Sequence, residues 1–517
     1  MRLGYFVSLR LSFLVSLLSI GAAANTIHVP ADQPTIQAGI NAANNGDIVL
    51  VSPGTYPENI NFNGKAITVS ALTPGTATIN GSANGSVVTF NHSETANSIL
   101  EGFVITNGSA STGGGGIYIS GASPVIQNNT ITGNTAGIGS GIWVNFASPQ
   151  ILNNSITSNI MTGSGGYGIG IAINGTGSSQ IIGNLIANNR SSGCSFGGGI
   201  SMDAANAPLI ENNIIQNNAC GNNGGGIGMV NDSPAIMVQN LIYGNQAQQG
   251  AGISVSVPSG NDGATLVNNT IVNNSGSNQG SALYVDGFPQ FTTIYNNIFA
   301  DIDSETAVYC DSTFSNQTPQ FHNNLAYSSE GTNVSGPCTA QFPGNGNLEV
   351  APDLDSNFRV LGHSPIINQG DRQAPSLPTL DLFGNPRLGY YTSGNGSLEL
   401  GVYAYVPVAF STPNLSFQPA KLGSKNTQTL GVHNFSQEPV TILNFQVTGD
   451  FTSYTNCSQL PVDGNCYAAV IFTPTQSGNR SGQITMSTSA NQQPTWTGLS
   501  GQGLSAGSFA SRQKSPR

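Results

Sequence analysis

Two aspartates carry the strongest hint of chemistry in this sequence. Asp286 ends the phrase GSALYVD (280–286) and Asp311 ends ETAVYCD (305–311), with Asp301, Asp303 and Glu305 between them. Hydrolysis of a glycosidic bond needs two carboxyl groups, about 5 Å apart for retention or about 6.5–9.5 Å for inversion. The same cluster suits a weak Ca2+ site, although the sequence holds no regular calcium loop. No other metal and no cofactor is expected. Scattered, solvated surface acids are the bland alternative. The second hint is aromatic. Tyr118, Trp143, Tyr284 and Tyr309 occupy one recurrent position, and Asp203 ends a related phrase two residues past it. Flat ring faces with polar neighbours suit stacking against a sugar. Ordinary cross-strand pairing of rings is the alternative, and it needs no ligand.

These residues become neighbours only through a repeat. Asn129 is followed by Asn154, Asn184, Asn213, Asn240, Asn269, Asn297 and Asn324, in steps of 25–30 residues. A second phrase keeps the same period: GGGIYIS (114–120), GSGIWVN (139–145), GGGISMD (197–203), GGGIGMV (224–230) and GAGISVS (250–256), then the two aspartate-ended phrases. A fixed period of this length means stacked units. Within a unit, apolar positions alternate: Ile126 and Ile131 flank Asn129, and Ile117 and Ile119 lie in the second phrase. Period two with β-branched residues is a strand signal, and Gly and Asn rule out a good helix. About 28 residues hold roughly three short strands and three turns, so stacking sets like strands side by side about 4.8 Å apart. The expected fold is all-β: a parallel β-helix, with aliphatic columns inside and Asn columns at turns, tolerating left-handed backbone. The outward column then reads Tyr118, Trp143, Ala172, Ser201, Gly228, Ser254, Tyr284, Tyr309, a small-residue face bracketed by aromatics. Asp286 and Asp311 fall one coil apart.

The chain has 517 residues, 66 Gly and only 7% charged side chains; 13 basic against 24 acidic residues give a net charge of −11. That balance argues against nucleic acid and anionic membranes as partners. Residues 1–24 read as a secretory signal: Arg2 and Arg10, the run LSFLVSLLSI, and the small residues Ala22, Ala23 and Ala24. With it removed, no segment suits a membrane span, and the protein is expected outside the cell or at its surface, as a monomer. The six Cys fall in close pairs. Cys194 and Cys220, like Cys310 and Cys338, are about one coil apart, while Cys457 and Cys466 would close a hairpin-sized loop. An even count in an exported chain favours disulfides. Cys310 lies in an inward column, so a buried free thiol stays open for that pair.

In chain order, Pro34–Ala43 reads as a short helix covering the open end of the solenoid, which otherwise exposes apolar core and strand edge. The β-helix with this cap is expected over 25–405, and residues 337–400 read as its closing edge. From 406 to 504 the period vanishes, and short alternating strands read as an immunoglobulin-like β-sandwich; 505–517 reads as a loose tail.

The front resembles a known group. GDIVLVSPGTYPENINFNGKAITV (46–69), the Asn-Asn-x-Ile repeats, SPIINQG (364–370) and DLFGNPR (381–387) with LELGVYAY (398–405) are similar to secreted right-handed parallel β-helix proteins of the pectin-lyase-like superfamily. The back, with FTSYTNC, GNCYAAVIFTPTQSGNRSGQI and GLSGQG, resembles the abnormal-spindle/hydin-type immunoglobulin-like module, also known in bacteria as choice-of-anchor D. Polysaccharide hydrolases of that superfamily fold use aspartates from neighbouring coils, which implies Asp286 and Asp311 as the catalytic pair if there is one. The leading expectation is non-catalytic: binding of polysaccharide or cell-surface glycan along the outer face. A glycoside hydrolase is the alternative. A polysaccharide lyase or esterase ranks third, because coils 99–330 hold a single basic residue, Arg190. His28, His92, His322 and His363 are dispersed and read as structural.

Overall fold

The computed structural model describes residues 24–231, 233–257, 263–287, 292–301, 304–315, 317–387, 398–491 and 493–505. The signal segment but for Ala24, the tail beyond Ser505, and Asp303 lie outside these residues.

The repeat stacks. Ile131 pairs with Ile156 and Ile156 with Ile186, each directly beneath the other and fully buried. Three parallel sheets wall the solenoid. The first has 12 strands, from Thr26–Val29 to Gln320–His322. The second and third have 11 each, from Gly54–Tyr56 to Leu325–Ser328 and from Ile60–Asn61 to Val334–Ser335. A fourth sheet of seven strands, Ser109–Gly113 to Ser275–Gln279, adds a side to the middle coils. One aliphatic core fills the inside.

The Asn doublets divide their work. The first member takes the left-handed turn: Asn128, Asn153, Asn212, Asn268, Asn296 and Asn323 all have φ between 53° and 58°. The second is buried and ladders to the next coil. In Asn154, for example, Nδ2 donates to Asn184 Oδ1 (3.1 Å) and to Ile126 O (2.9 Å). So the column residues at turns are not themselves left-handed; burial gives them a ladder role. A second ladder runs five residues later, through Asn134, Asn159, Asn189, Asn218, Asn245 and Asn274. Stacked amides satisfy both donors and acceptors inside the stack.

The N-terminal helix, Ile36–Ala42, covers the first coil with Ile36 and Ile40. Both its ends are met by charge. Glu58 accepts from the amides of Ile36 and Gln37 (2.8 and 2.9 Å), and Lys65 Nζ donates to the carbonyls of Ile40, Asn41 and Ala43 (2.7 Å each). Acid at the N-terminus and base at the C-terminus match the helix dipole and its orphan groups. Gly39 allows the helix close: a Cβ there would meet Val49 at 2.8 Å.

The far end differs from the expectation. It is closed by the 3-10 helix Gly336–Gln341 and Phe342, which packs edge-on against Phe321, while Asn347 ends the first Asn ladder. Residues 349–387 and 398–405 do not close it. They run back along the outside as a strap. Gln369 O meets Asn323 of a late coil, Asp371 meets Asn296, Gly401 meets Asn268, and Arg387 meets Gln239 two coils earlier than Asn296. The physical reason is an apolar outer face. Val272, Ile298, Ala300 and Leu325 point outward and pack against Val360, Ile366, Leu400 and Tyr405; Val238 and Val267 pack with Ala374.

Beyond the strap, a four-stranded and a six-stranded sheet share a core of Phe410, Leu430, Val470, Phe472, Ile484 and Met486. Arg480 Nε donates to Asp450 Oδ2 (2.6 Å), and Thr475 donates its amide (3.0 Å) and hydroxyl (2.9 Å) to the same carboxylate. The arginine bond, then the Thr475 amide, holds that carboxyl at about 2, below its ordinary 3.8. A depressed pKa stabilises the fold above the unfolded value, and this is lost as pH falls toward the folded one. The C-terminal melting transition of the intact protein is therefore expected to drop between about pH 4 and pH 2. In Asp450→Asn it should be lower at neutral pH and flatter across that window; calorimetry against pH checks both.

All three Cys pairs are bridged: Cys194–Cys220, Cys310–Cys338 and Cys457–Cys466, with Cα separations of 4.9, 5.8 and 5.6 Å. The question left open for Cys310 is answered by the 3-10 helix, which brings Cys338 over the last coil.

Candidate functional site

Adjacent coils bring the aspartate pair together. Tyr284 pairs with Tyr309 and Val285 with Cys310; the later strand ends there, and Asp311 turns away with its amide on Val285 O (2.7 Å). Asp286 is 2% exposed, and its Oδ1 accepts from Phe314 N (3.0 Å). Asp311 is more heavily engaged: Oδ2 takes the Tyr284 hydroxyl (2.9 Å), and Oδ1 takes Ser312 N (2.7 Å), Thr313 N (3.1 Å) and the Thr313 hydroxyl (2.9 Å). Burial pushes Asp286 up, with Asp311 adding to it against the Phe314 and Gly287 amides. For Asp311, burial works upward but loses to the Tyr284 hydroxyl and the Ser312 and Thr313 donors, so its carboxyl lies below the ordinary range. Burial and Asp311 push the Tyr284 phenol well above its usual value. The two acids thus have opposite shifts, the pattern of an acid–base pair. Yet local backbone and Tyr284 take up Asp311 on both oxygens and Asp286 on one.

The aromatics pair as spaced. Tyr118 and Trp143 have ring centroids 5.2 Å apart, tilted by 40°; Tyr284 and Tyr309 are 6.0 Å apart and stacked at 7°. Tyr118, Trp143 and Tyr309 are half-buried, while Tyr284 is only 6% exposed. Trp143 lies flat on Gly113, where a Cβ would meet its ring at 2.5 Å, and its Nε1 donates to Asn174 Oδ1 (3.1 Å). Asp203 accepts from Asn231 Nδ2 (2.7 Å).

The face between the two ring pairs is not open. Ala172, Ser201, Gly228 and Ser254 are buried. The chain leaving the fourth sheet folds over them: Gly168 lies against Ala172 and Ser201, and Phe196 with Gly197 lies against Gly228. Tyr167 stacks on Phe196 (4.8 Å, 6°) on top of this cover. Small residues fill that column because backbone packs on them, so the small-residue face expected between the aromatics is covered.

The open channel lies one side over, on the fourth sheet. Arg190, Ala219, Gln246 and Ser275 are in register there. They line a groove of about 560 Å³ with Ser192 and Gln248, and Glu305 stands at its far end, its Oε2 accepting from Gly276 N (2.6 Å). Arg190, Gln246 and Gln248 are exposed. This row leaves little signal in the sequence, because its strands are two to five residues long and lack an alternating apolar pattern. Among the described residues, no three His, Cys, Asp or Glu side chains gather as metal ligands, and no helix is long and apolar enough to cross a membrane.

A family model described as "Right handed beta helix region" matches residues 70–277. The solenoid is a right-handed parallel β-helix. Among solved structures, this β-helix protein is similar to the ASH / PapD-like domain 7 of human CEP192 (14% identity, covering 19% of this chain and 87% of that one, TM-score 0.17). It is also similar to the secreted serine protease VesC from Vibrio cholerae (13%, 22% and 32%, TM-score 0.18) and to the Vibrio cholerae VesB protease (10%, 23% and 42%, TM-score 0.17). The chain thus spans less than half the length of either protease. At such TM-scores these likenesses carry no argument. No curated protein matches the chain.

Proposed function

We propose that this is an exported protein that binds extended polysaccharide along the outside of its β-helix without cleaving it. The observation that carries the reading is the fourth-sheet groove. It runs across consecutive coils, so Arg190, Gln246 and Ser275 stand along one line with Ala219 among them, a direction that suits a chain-like ligand. Three disulfides favour an oxidising compartment. The β-helix with its strap, expected over 25–405, is assigned to the pectin-lyase-like superfamily by its opening and strap motifs. The two-sheet unit, 406–504, is assigned as an immunoglobulin-like, choice-of-anchor D module serving as spacer or attachment. A glycoside hydrolase using Asp286 and Asp311 is the second reading, favoured by their opposite pKa shifts.

A glycan array probed with the mature protein, together with a reducing-sugar assay on the polysaccharides it retains, tests both. Binding without release of reducing ends is expected. Arg190→Ala combined with Gln246→Ala and Gln248→Ala should weaken binding at least about tenfold, since each removes a hydrogen-bonding group. Release of reducing ends that Asp286→Asn abolishes moves the site to the aspartates. An empty array overturns the binding reading.

A further inference from the structure

A second groove, of about 770 Å³, lies where the β-helix, the strap and the C-terminal sheets meet. Its residues are far apart in sequence. Glu211 comes from the first wall, Asn153 and Asn212 from its turns, Leu380 and Phe383 from the strap, and Trp496 from a C-terminal strand.

Two of these are poorly explained by the fold. Glu211 sits in the outward column between Ile182 and Val238. Its carboxylate has no hydrogen-bond partner among the described residues, and burial pushes it up. A half-buried carboxylate beside aliphatics costs stability unless something else is gained. Trp496 is 38% exposed and one of two tryptophans in the chain. One edge of its indole lies over Gly384, where a Cβ would stand 3.9 Å from Cη2 and Cζ2. Its N–H likewise has no protein partner among the described residues.

We propose that this groove is a binding site for a short, neutral, hydroxyl-rich saccharide, stacked on Trp496 and hydrogen-bonded by Glu211, Asn153 and Asn212. A pyranose offers an apolar C–H face to an indole and a rim of hydroxyls to carboxamides and a carboxylate, an apolar surface with a few convergent polar groups. Charge selects against acidic sugars. Among the described residues, no Lys, Arg or His lines the groove. The nearby Asp381 carboxylate is filled by Phe383 N, Asn385 N and Nδ2, and Ala404 N, which leaves Glu211 as the free acceptor. The site is independent of the fourth-sheet groove and goes beyond the polysaccharide reading.

The test uses fluorescence of the full mature chain carrying Trp143→Phe, excited at the red edge where tyrosine does not absorb, so that Trp496 is the only tryptophan and the only emitter read. Maltose, cellobiose, lactose and glucuronate are titrated to tens of millimolar. A saturable change in Trp496 emission is expected with at least one neutral disaccharide and none with glucuronate. Isothermal titration should show binding weakened at least tenfold in Trp496→Ala, at an exposed position, and in Glu211→Gln, which keeps the size of the half-buried side chain. The Arg190, Gln246 and Gln248 triple variant should bind as the parent does, which separates this site from the polysaccharide groove. No saturable response to any neutral probe, equal response to glucuronate, or unchanged affinity in Glu211→Gln each overturns the proposal.

Discussion

Asn189→Ala is expected to destabilise the β-helix by roughly 3 kcal/mol, while Asn188→Gly, one residue away, changes it by less than about 0.5 kcal/mol. The two side chains have opposite tasks. Asn189 is buried in the second ladder. Its Nδ2 donates to Ile156 O and to Asn218 Oδ1 (2.9 Å each), and its Oδ1 accepts from the amide and the Nδ2 of Asn159 (3.0 Å each). Alanine removes all four bonds at once. The Asn159 amide and the Ile156 carbonyl then face a dry interior, and each orphaned group costs about 1–3 kcal/mol. Asn188 is exposed with φ at 57°, and glycine takes that conformation without strain. Asn188→Val should cost about 1–2 kcal/mol, because a β-branched residue resists left-handed backbone. Urea denaturation followed by circular dichroism reads all three. Similar midpoints for Asn189→Ala and Asn188→Gly would mean the ladder does not hold the coils together.

That contrast also marks how far the sequence could be read. Periodicity placed Ile131, Ile156 and Ile186 in one column, because a two-residue alternation repeated at each coil leaves a single way to bury them. It named the Asn column but blurred the doublet, since solvent and interior can both accept Asn; only the neighbouring coil decides which member is buried. The five-residue offset of the second ladder was visible in NTITGN, NSITSN and NLIANN. The strap left a signal as well. Outward positions change from Thr130, Thr132, Ser155 and Thr157 to Leu241, Tyr243, Val272, Ile298 and Leu325, and an apolar outer face must be covered. The candidate sites were legible only in part. Spacing set Asp286 beside Asp311 and paired the four aromatics, but spacing cannot show that Thr313 and Tyr284 would occupy Asp311. Glu211 and Trp496 share a groove through tertiary packing alone, which no local pattern encodes.

Arg387→Ala is expected to release the strap before the β-helix melts. Arg387 is 1% exposed, the largest fully buried side chain among the described residues. Nε and Nη2 both donate to Gln239 Oε1 (2.8 and 2.6 Å), and Nη2 also donates to Gly401 O (2.9 Å). Burial pushes the guanidinium down to about 10, against Asp381 and Glu399, so it stays charged at neutral pH. Burial already pushes the Asp381 carboxyl up despite Arg387. Taking the cation away leaves that carboxylate buried without its counter-charge and Gln239 without a donor, a loss of about 3–5 kcal/mol. Arg387→Lys keeps the charge but not the planar fork that grips Gln239 and Gly401 together, so it should fall between parent and alanine. Asp381→Asn added to Arg387→Ala should recover part of the loss, because it removes the orphaned charge. The readout is limited proteolysis with hydrogen exchange, resolved by segment. Cleavage and exchange should rise in 349–387 and in the newly bared outer faces at Val272, Ile298 and Leu325, while the inner strands stay protected. A strap that remains resistant in Arg387→Ala would place its whole hold in the apolar contacts of Val360, Ile366, Leu400 and Tyr405, and the buried arginine would then have no part in fastening it.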